Sequence, residues 1–332
     1  GMTSNSGWRF QFWWNCLTRH QTPYVRTLST RAEVTVACEC LLKKERSALG
    51  WDAGEVEAIR LIVDPSAAEV RTLAHSDKST IHLLEGYGSC RLSREALGYL
   101  ARSSRVGVIS ESGNYVGALG PLRRAKSMLN VRRWAGIVQF ILAMGSMGED
   151  WYIQCGARQE QVFPFCYVVD TPTTFAEEER ERRVEQEFRI MYLGQLIHRK
   201  GIDLLLHALR ENVRRDWRAD LVGCGPMAEQ YQQLSENFGL SSKVHFHSAK
   251  ANQAAMRMLA QADLLVLPSR FDGWGAVVNE ALMRGVPVIC TTTCGASDLI
   301  RQRWLGTVVK AGCAEELGDA LACRIQRGPL SE

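Results

Sequence analysis

Short apolar runs alternate with helical patterns through the second half of the chain. Runs rich in Val, Ile and Leu, such as 217–222 and 264–267, are separated by stretches in which apolar residues recur every three or four positions. Continuous apolar strands, each followed by a helix, are typical of a parallel sheet that helices cover on both faces. The pattern predicts strands at 189–196, 217–222, 243–247, 264–267, 287–291 and 307–310, and helices at 202–213, 227–238, 253–261, 275–284, 297–303 and 315–325.

The first half repeats this alternation less cleanly. A charge run at 177–183 marks the one compositional break, and the 332 residues suffice for two cores. We therefore expect an α/β protein with one Rossmann-like domain at 1–175 and a second at 186–332. Two doubly wound domains that face each other across a cleft would bind ligands at the carboxyl ends of their strands. The strands predicted in the first half are 9–15, 34–38, 58–63, 80–84, 106–109, 137–142 and 162–168.

Composition narrows the class of protein. A net charge of +4 is small for this length and argues against a nucleic-acid-binding protein. The eleven cysteines are scattered, without CxxC pairs or a matching His cluster, so we expect reduced thiols, no metal site and a cytoplasmic protein. No apolar run approaches the roughly 20 residues that a membrane-spanning helix needs.

One strand–loop–helix turn has features of an anion site. The strand at 264–267 ends at Pro268, a glycine-flanked loop follows, and a helix is expected from Gly275. Backbone N–H groups at such a helix start suit a phosphate. Glu280 lies in this otherwise apolar helix, and a buried carboxylate is costly unless it is paired or hydrogen-bonded. Hydroxyl groups of a ligand would satisfy it; an Arg partner or an edge position is the alternative.

Two further loops follow strands of the same domain. Arg199 and Lys200 lie after its first strand, where cationic donors suit a diphosphate. Residues 223–228 match the glycine pattern of dinucleotide-binding proteins. They do not follow the first strand, and the next strand ends without the acidic residue that would hold a ribose. A nicotinamide-dependent dehydrogenase is therefore the weakest of the hypotheses.

Taken together, residues 189–312 resemble the glycosyl transferases group 1 superfamily, the retaining GT-B enzymes. The resemblance lies in YLGQLIHRKGIDLLLHAL, LVGCGP, ADLLVLPSRFDGWGAVVNEALMRGVPVI and CGASDLI, in the family's order. It implies a GT-B fold and transfer of a hexosyl group from a UDP- or GDP-sugar to a glycan or lipid-linked acceptor, in polysaccharide or glycolipid biosynthesis. It also implies retention of configuration, and no metal or cofactor.

The resemblance also assigns roles to residues. The family's E-x7-E motif falls on Asp272 and Glu280, which would lie at the donor sugar's hydroxyls and hold the donor ribose, respectively. Lys200, with Arg199 beside it, would neutralise the departing diphosphate, and backbone amides around 274–276 would cradle its distal phosphate. The implied catalytic group is Arg199, Lys200 and Asp272, and the implied donor-binding group is Gly194, Gln195, Gly273, Trp274, Gly275, Ala276 and Glu280.

The chain departs from the family pattern in several places. Asp272 is one carbon shorter than the usual Glu, and Gln195 stands where many members have Arg. These departures keep open a non-catalytic protein that only binds a nucleotide sugar. The first domain lacks the glycine-rich loop that many members place after the first strand, and we expect His20, Glu85 and Glu111 on the acceptor side instead. Members commonly end in one more helix, so the sequence leaves open whether the chain is truncated at this end.

The segment 121–134 is strongly basic, and no acidic residue lies between Ser112 and Gly148. A face of this kind can approach anionic lipid, where each cation contributes about 1 kcal/mol. It can equally be a solvated helix face, and the sequence does not decide between them. The membrane interpretation predicts peripheral contact with the inner face of the cell membrane through Arg123, Arg124, Lys126, Arg132 and Arg133.

Overall fold

The computed structural model describes residues 7–41, 59–75, 77–170, 187–211, 216–248 and 252–328. The chain divides into two compact units, with the division between Val169 and Asp170. The predicted charge run at 177–183 lies outside the described residues.

Unit 1 is a seven-stranded parallel sheet in the order β3-β2-β1-β4-β5-β6-β7. The order reverses between β1 and β4, which makes the carboxyl ends of these two strands the switch point of the sheet. The strands are β1 (Arg9–Cys16), β2 (Glu33–Cys40), β3 (Arg60–Val63), β4 (Ile81–Glu85), β5 (Arg105–Ser110), β6 (Phe140–Met144) and β7 (Val162–Phe165). The helices are α1 (Thr22–Ser29), α2 (Ala67–His75), α3 (Arg91–Tyr99), α4 (Gly120–Trp134) and α5 (Gly145–Gln154).

The central strand β1 anchors the core of unit 1. Its side chains Trp13 and Trp14 are fully buried, as expected for a strand covered on both faces. Trp13 Nε1 donates to Nδ1 of His82 on β4 (3.3 Å), and Ser93 Oγ of α3 donates to the Trp13 carbonyl (3.0 Å). Burial lowers the pKa of His82 to about 4. A neutral imidazole therefore belongs to the folded state of this unit.

Unit 2 is a six-stranded parallel sheet in the order β10-β9-β8-β11-β12-β13, with its switch point between β8 and β11. The strands are β8 (Phe188–Leu193), β9 (Trp217–Val222), β10 (Val244–His247), β11 (Leu264–Leu267), β12 (Val288–Thr291) and β13 (Gly306–Val309). The helices are α6 (Ile202–Arg210), α7 (Ala228–Asn237), α8 (Asn252–Ala260), α9 (Val277–Leu282) and α10 (Ala314–Arg327). The structure thus confirms the prediction of two doubly wound α/β units.

Two predicted helices of unit 2 differ in the structure. In place of a helix at 297–303 there is a 3-10 turn, Gly295–Leu299. The backbone N–H groups at its start bond to another loop rather than to the turn itself, because Gly295 N donates to the Asp272 carbonyl (3.1 Å) and Ala296 N to the Trp274 carbonyl (2.7 Å). The helix predicted from Gly275 begins instead at Val277, because Gly275 has a φ of +88°.

Three further observations concern the same described residues. All eleven cysteines have free thiols, as expected from their scattered positions. No three His, Cys, Asp or Glu side chains within the described ranges are grouped as metal ligands would be. None of the helices found there combines the length and the apolar character that crossing a bilayer requires.

Candidate functional site

The loops that follow β8 and β11 meet at the switch point of unit 2. Lys200 Nζ donates to Oδ2 of Asp272 in a short ion pair whose side chains are only 13% and 11% exposed. Arg199 Nη1 donates to the Phe271 carbonyl (2.8 Å) and lies 4.0 Å from Asp272 Oδ1. The structure therefore brings Arg199, Lys200 and Asp272 together in one cluster. Arg199 remains 37% exposed at its side chain, so a ligand can reach this guanidinium.

Close backbone packing holds these two loops together. Gly201 has a φ of +70°, and a Cβ on it would lie 2.1 Å from the Pro268 carbonyl oxygen. Arg270 N donates to the Arg199 carbonyl (2.9 Å), and the Arg270 guanidinium binds both carboxylate oxygens of Asp203 at 2.8 and 2.6 Å. Burial would raise the pKa of Asp203, but the bonds from Arg270 outweigh burial and lower it. A bidentate, charge-assisted pair thus fixes the base of the cluster.

The loop after β12 fixes Asp272 from the other side. Asp272 N donates to the Thr293 carbonyl (2.9 Å), while the Asp272 carbonyl accepts from Gly295 N (3.1 Å). Thr293 Oγ1 donates to the Arg270 carbonyl (2.8 Å), and Cys294 Sγ donates to the Trp274 carbonyl (3.0 Å). Since backbone bonds on both sides hold it, Asp272 is positioned before any ligand binds.

Glu280 lies on α9, immediately beyond this loop. It is only 6% exposed, as expected for a residue with apolar neighbours. Arg284 Nη1 donates to the Glu280 backbone carbonyl (2.9 Å), which places a cation one turn away. Trp274 is 2% exposed and its Nε1 donates to Asn279 Oδ1 (2.8 Å), so the indole is part of the core. Toward a ligand, the segment from Gly273 to Ala276 therefore presents backbone rather than the Trp274 ring.

The glycines of 223–225 support the loop that contains Gly194 and Gln195. A Cβ on Gly223 would lie 1.8 Å from the Gly194 carbonyl oxygen, and one on Gly225 would lie 2.3 Å from that of Leu196. Gln195 is held through its carbonyl, which accepts from Tyr192 Oη (2.7 Å). The glycine spacing is thus explained by packing of backbone on backbone, which agrees with the argument against a dinucleotide fingerprint.

Unit 1 has its own cavity at the carboxyl end of its sheet, with a volume of about 460 Å³. Glu85 and Glu111, predicted for the acceptor side, both line it. The third predicted residue, His20, is 5% exposed and does not line the cavity; its ring lies 6.1 Å from that of Tyr167. Tyr24 also lines the cavity and was not predicted, because nothing in the local sequence marks a helix residue that only the fold brings there.

Two doubly wound parallel-sheet units, with a charged cluster at one switch point, define the GT-B class of glycosyltransferase folds. Solved structures of glycosyltransferases have the same fold. The structure of Anabaena Alr3699/HepE in complex with UDP and glucose is similar over 96% of this chain and 90% of that chain, with a TM-score of 0.72 and 18% identity. The structure of WaaG, a glycosyltransferase involved in lipopolysaccharide biosynthesis, gives a TM-score of 0.61 over the same shares, also with 18% identity.

The similarity to a known family lies in the second unit. Residues 174–330 match the model of glycosyl transferases group 1, the family that the motifs of this part of the chain predicted. The lipopolysaccharide glucosyltransferase WaaG of Escherichia coli is 31% identical over 150 residues, which are 44% of this chain and 39% of that protein. A GDP-mannose-dependent mannosyltransferase of Mycobacterium tuberculosis, which acts on a phosphatidylinositol monomannoside, is 29% identical over 55% of this chain and 49% of its own length. The matches thus span less than half of these curated relatives.

Proposed function

We propose that the chain transfers a hexosyl group from a nucleoside diphosphate sugar to a glycan or lipid-linked acceptor, in polysaccharide or glycolipid biosynthesis. The observation that carries this proposal is the cluster of Arg199, Lys200 and Asp272 at the switch point of unit 2. Ligands of doubly wound sheets bind at this position. The relatives support the donor class, since one is a glucosyltransferase and another depends on GDP-mannose.

Different residues of the proposed donor site bind the diphosphate, the ribose and the sugar of the donor. Arg199 and Lys200 offset the negative charge that builds up on the departing diphosphate, and the backbone N–H groups at 274–276 bind its distal phosphate. Glu280, only 6% exposed beside this loop, accepts hydrogen bonds from the ribose hydroxyls, the role that the family motif gives to this position. Asp272 accepts from hydroxyls of the donor sugar while Lys200 holds it in place.

The reaction proposed at this site retains the configuration of the donor sugar and uses no metal ion. The acceptor attacks from the same face that the diphosphate leaves, and a phosphate oxygen takes the acceptor proton. Lys200 and Arg199 supply the positive charge that stabilises the leaving group. Rate enhancement then comes from positioning and from charge stabilisation at a pre-organised site.

A turnover assay tests this function. The protein is incubated with UDP-glucose or GDP-mannose and a candidate acceptor, with and without EDTA, and NMR follows the anomeric proton of donor and product. We expect one donor to be consumed, an α-linked product from an α-linked donor, and no effect of EDTA. Asp272→Asn should lose activity, whereas the exposed control Asp319→Asn should keep it. A β-linked product would refute retention, and binding without turnover of either donor would leave a nucleotide-sugar-binding protein.

We also propose that helix α4 touches an anionic membrane surface. Leu122 and Leu129 are 67% and 68% exposed, and they lie seven residues apart on one face, beside Arg132 and Arg133. Exposed leucines flanked by cations are typical of helices that lie in the lipid headgroup region. Sedimentation with phosphatidylglycerol vesicles should recover the protein, and the double variant Arg132→Gln/Arg133→Gln should release it. Equal recovery with neutral phosphatidylcholine would contradict the proposal.

A further inference from the structure

The cavity of unit 1 contains two buried hydroxyl groups without a hydrogen-bond partner. Tyr24 Oη and Ser112 Oγ are shielded from solvent, and no described residue bonds to either. Both residues line the cavity, and Ser112 is only 6% exposed. An unsatisfied buried hydroxyl is unfavourable, because the group has given up its hydrogen bonds to water without replacing them. The two groups therefore point to a ligand with oxygen atoms that bond to them.

Two carboxylates lie at the ends of neighbouring strands in the same cavity. Glu85 ends β4, where it accepts from Asn15 N (2.7 Å), and Glu111 directly follows β5. The rings of Trp151 and Tyr152 also line this space. Carboxylates accept from the hydroxyls of a sugar, and aromatic rings pack against its C–H face. The volume of about 460 Å³ accommodates a small polar ligand of this kind.

Helix α4 adds positive charge to one wall of the cavity. Arg123, Lys126 and Asn130 all line it, and their spacing of three and four residues places them on one face of the helix. Arg123 Nη1 donates to the carbonyls of Asn114 (3.2 Å) and Val116 (3.3 Å), which holds the guanidinium in place. Lys126 forms no ion pair with any residue that the structure describes. A neutral sugar gains little from two cationic side chains, whereas a phosphate group forms charge-assisted hydrogen bonds with both.

We infer that this cavity binds a phosphorylated sugar, with the ring on Glu85 and Glu111 and the phosphate on Arg123 and Lys126. Burial, followed by the charge of Glu85, raises the pKa of Tyr24, so its phenol stays a hydrogen-bond donor to a ring oxygen or hydroxyl. The role of this ligand as the acceptor rests on the proposed function. Through its contacts with the phosphate, the cavity would select a phosphorylated acceptor over the unmodified sugar.

Calorimetric titration of the full chain tests the inference, with glucose 6-phosphate, glucose and inorganic phosphate as probes. We expect glucose 6-phosphate to bind at least about tenfold more tightly than either of the others. Lys126→Gln should remove this preference and leave the affinity for glucose unchanged. Tyr24→Phe should weaken both sugars by about fivefold, because it removes one hydroxyl bond and keeps the ring. Arg71→Gln, at an exposed position of helix α2 outside the cavity, is the control that should change neither.

Three results would overturn the inference. The first is equal affinity for glucose and glucose 6-phosphate, or no binding of either. The second is an Arg71→Gln variant that is weakened as much as Lys126→Gln. The third is a Lys126→Gln variant that loses only its binding to phosphatidylglycerol vesicles, which would assign the cation to a lipid surface. Parallel titration with UDP and GDP separates the two proposals, because nucleotide binding without sugar phosphate binding contradicts this inference alone.

Discussion

Gly201 packs so closely against the Pro268 carbonyl that a side chain at this position should disturb both loops of the site. Gly201 and Gly239 both have a φ of +70°, and both lie in unit 2. A Cβ on Gly201 would lie 2.1 Å from the Pro268 carbonyl oxygen, whereas one on Gly239 would meet nothing within 4 Å. Gly201→Ala and Gly239→Ala are thus a matched pair that differs in the clash alone.

The expected magnitudes follow from these two surroundings. Alanine in the left-handed conformation costs about 1–2 kcal/mol, and both variants have that cost. Real Cβ contacts are essentially never below 3.0 Å, so the Pro268 carbonyl must move by about 1 Å in Gly201→Ala only. Overpacking of this kind adds about 1–3 kcal/mol. We therefore expect Gly201→Ala to lose about 2–5 kcal/mol of unfolding free energy and Gly239→Ala about 1–2 kcal/mol.

The clash in Gly201→Ala should also weaken the ion pair between Lys200 and Asp272. Pro268 begins the loop that leads to Asp272, so its displacement separates Asp272 from Lys200. Calorimetry should show a melting transition for unit 2 that falls by about 2–4 °C per kcal/mol lost. Hydrogen exchange should accelerate in peptides that contain 194–201 and 268–276 in Gly201→Ala, and not in Gly239→Ala. Equal melting temperatures and equal exchange in the two variants would refute the packing argument.

Two other side chains give independent predictions. Lys200→Met leaves the nearly buried Asp272 without its main partner and should cost about 3 kcal/mol of unfolding free energy, measured by urea titration. Adding Asp272→Asn to this variant should recover part of the loss. The exposed control Lys310→Met should cost nothing measurable. In unit 1, the pKa of His82 is about 4 when folded against 6.5 ordinarily, so the unfolded chain takes up a proton first as the pH falls. Stability should therefore drop by about 2–3 kcal/mol between pH 7 and pH 4. The variant His82→Asn should flatten that dependence, and an unchanged slope would argue against a buried neutral imidazole.

The strands were predictable because their pattern is local. Each strand of unit 2 is a run of apolar residues, and for Trp217–Val222 and Leu264–Leu267 the predicted limits match the structure. The loop motifs were also visible, since Arg199, Lys200 and Asp272 each follow a strand of the sheet. A parallel sheet brings such loops to one edge, whatever their separation along the chain.

The remaining features depend on contacts that a sequence pattern does not show. The turn at Gly295–Leu299 forms because its N–H groups bond to the loop after β11, not because of its own residues. At Gly275, where φ is +88°, a Cβ would lie 2.7 Å from Cys294 Sγ and 2.9 Å from Leu267 Cδ2, and only the fold creates these contacts. In unit 1, Tyr24 and Ser112 meet only because the topology brings α1 and the loop after β5 to one cavity.

Binding of nucleoside diphosphates tests the central claim most directly. The full chain is titrated calorimetrically with UDP, GDP, ADP and NAD, beside Glu280→Gln and the exposed control Glu236→Gln. A donor site at the switch point of unit 2 predicts micromolar binding of UDP or GDP, about −8 kcal/mol. It also predicts a loss of about 30-fold or more in Glu280→Gln and no loss in the control, because a bond to a charged group is removed. Tighter binding of NAD than of UDP or GDP, or a Glu280→Gln variant that binds as well as the parent, would contradict the account.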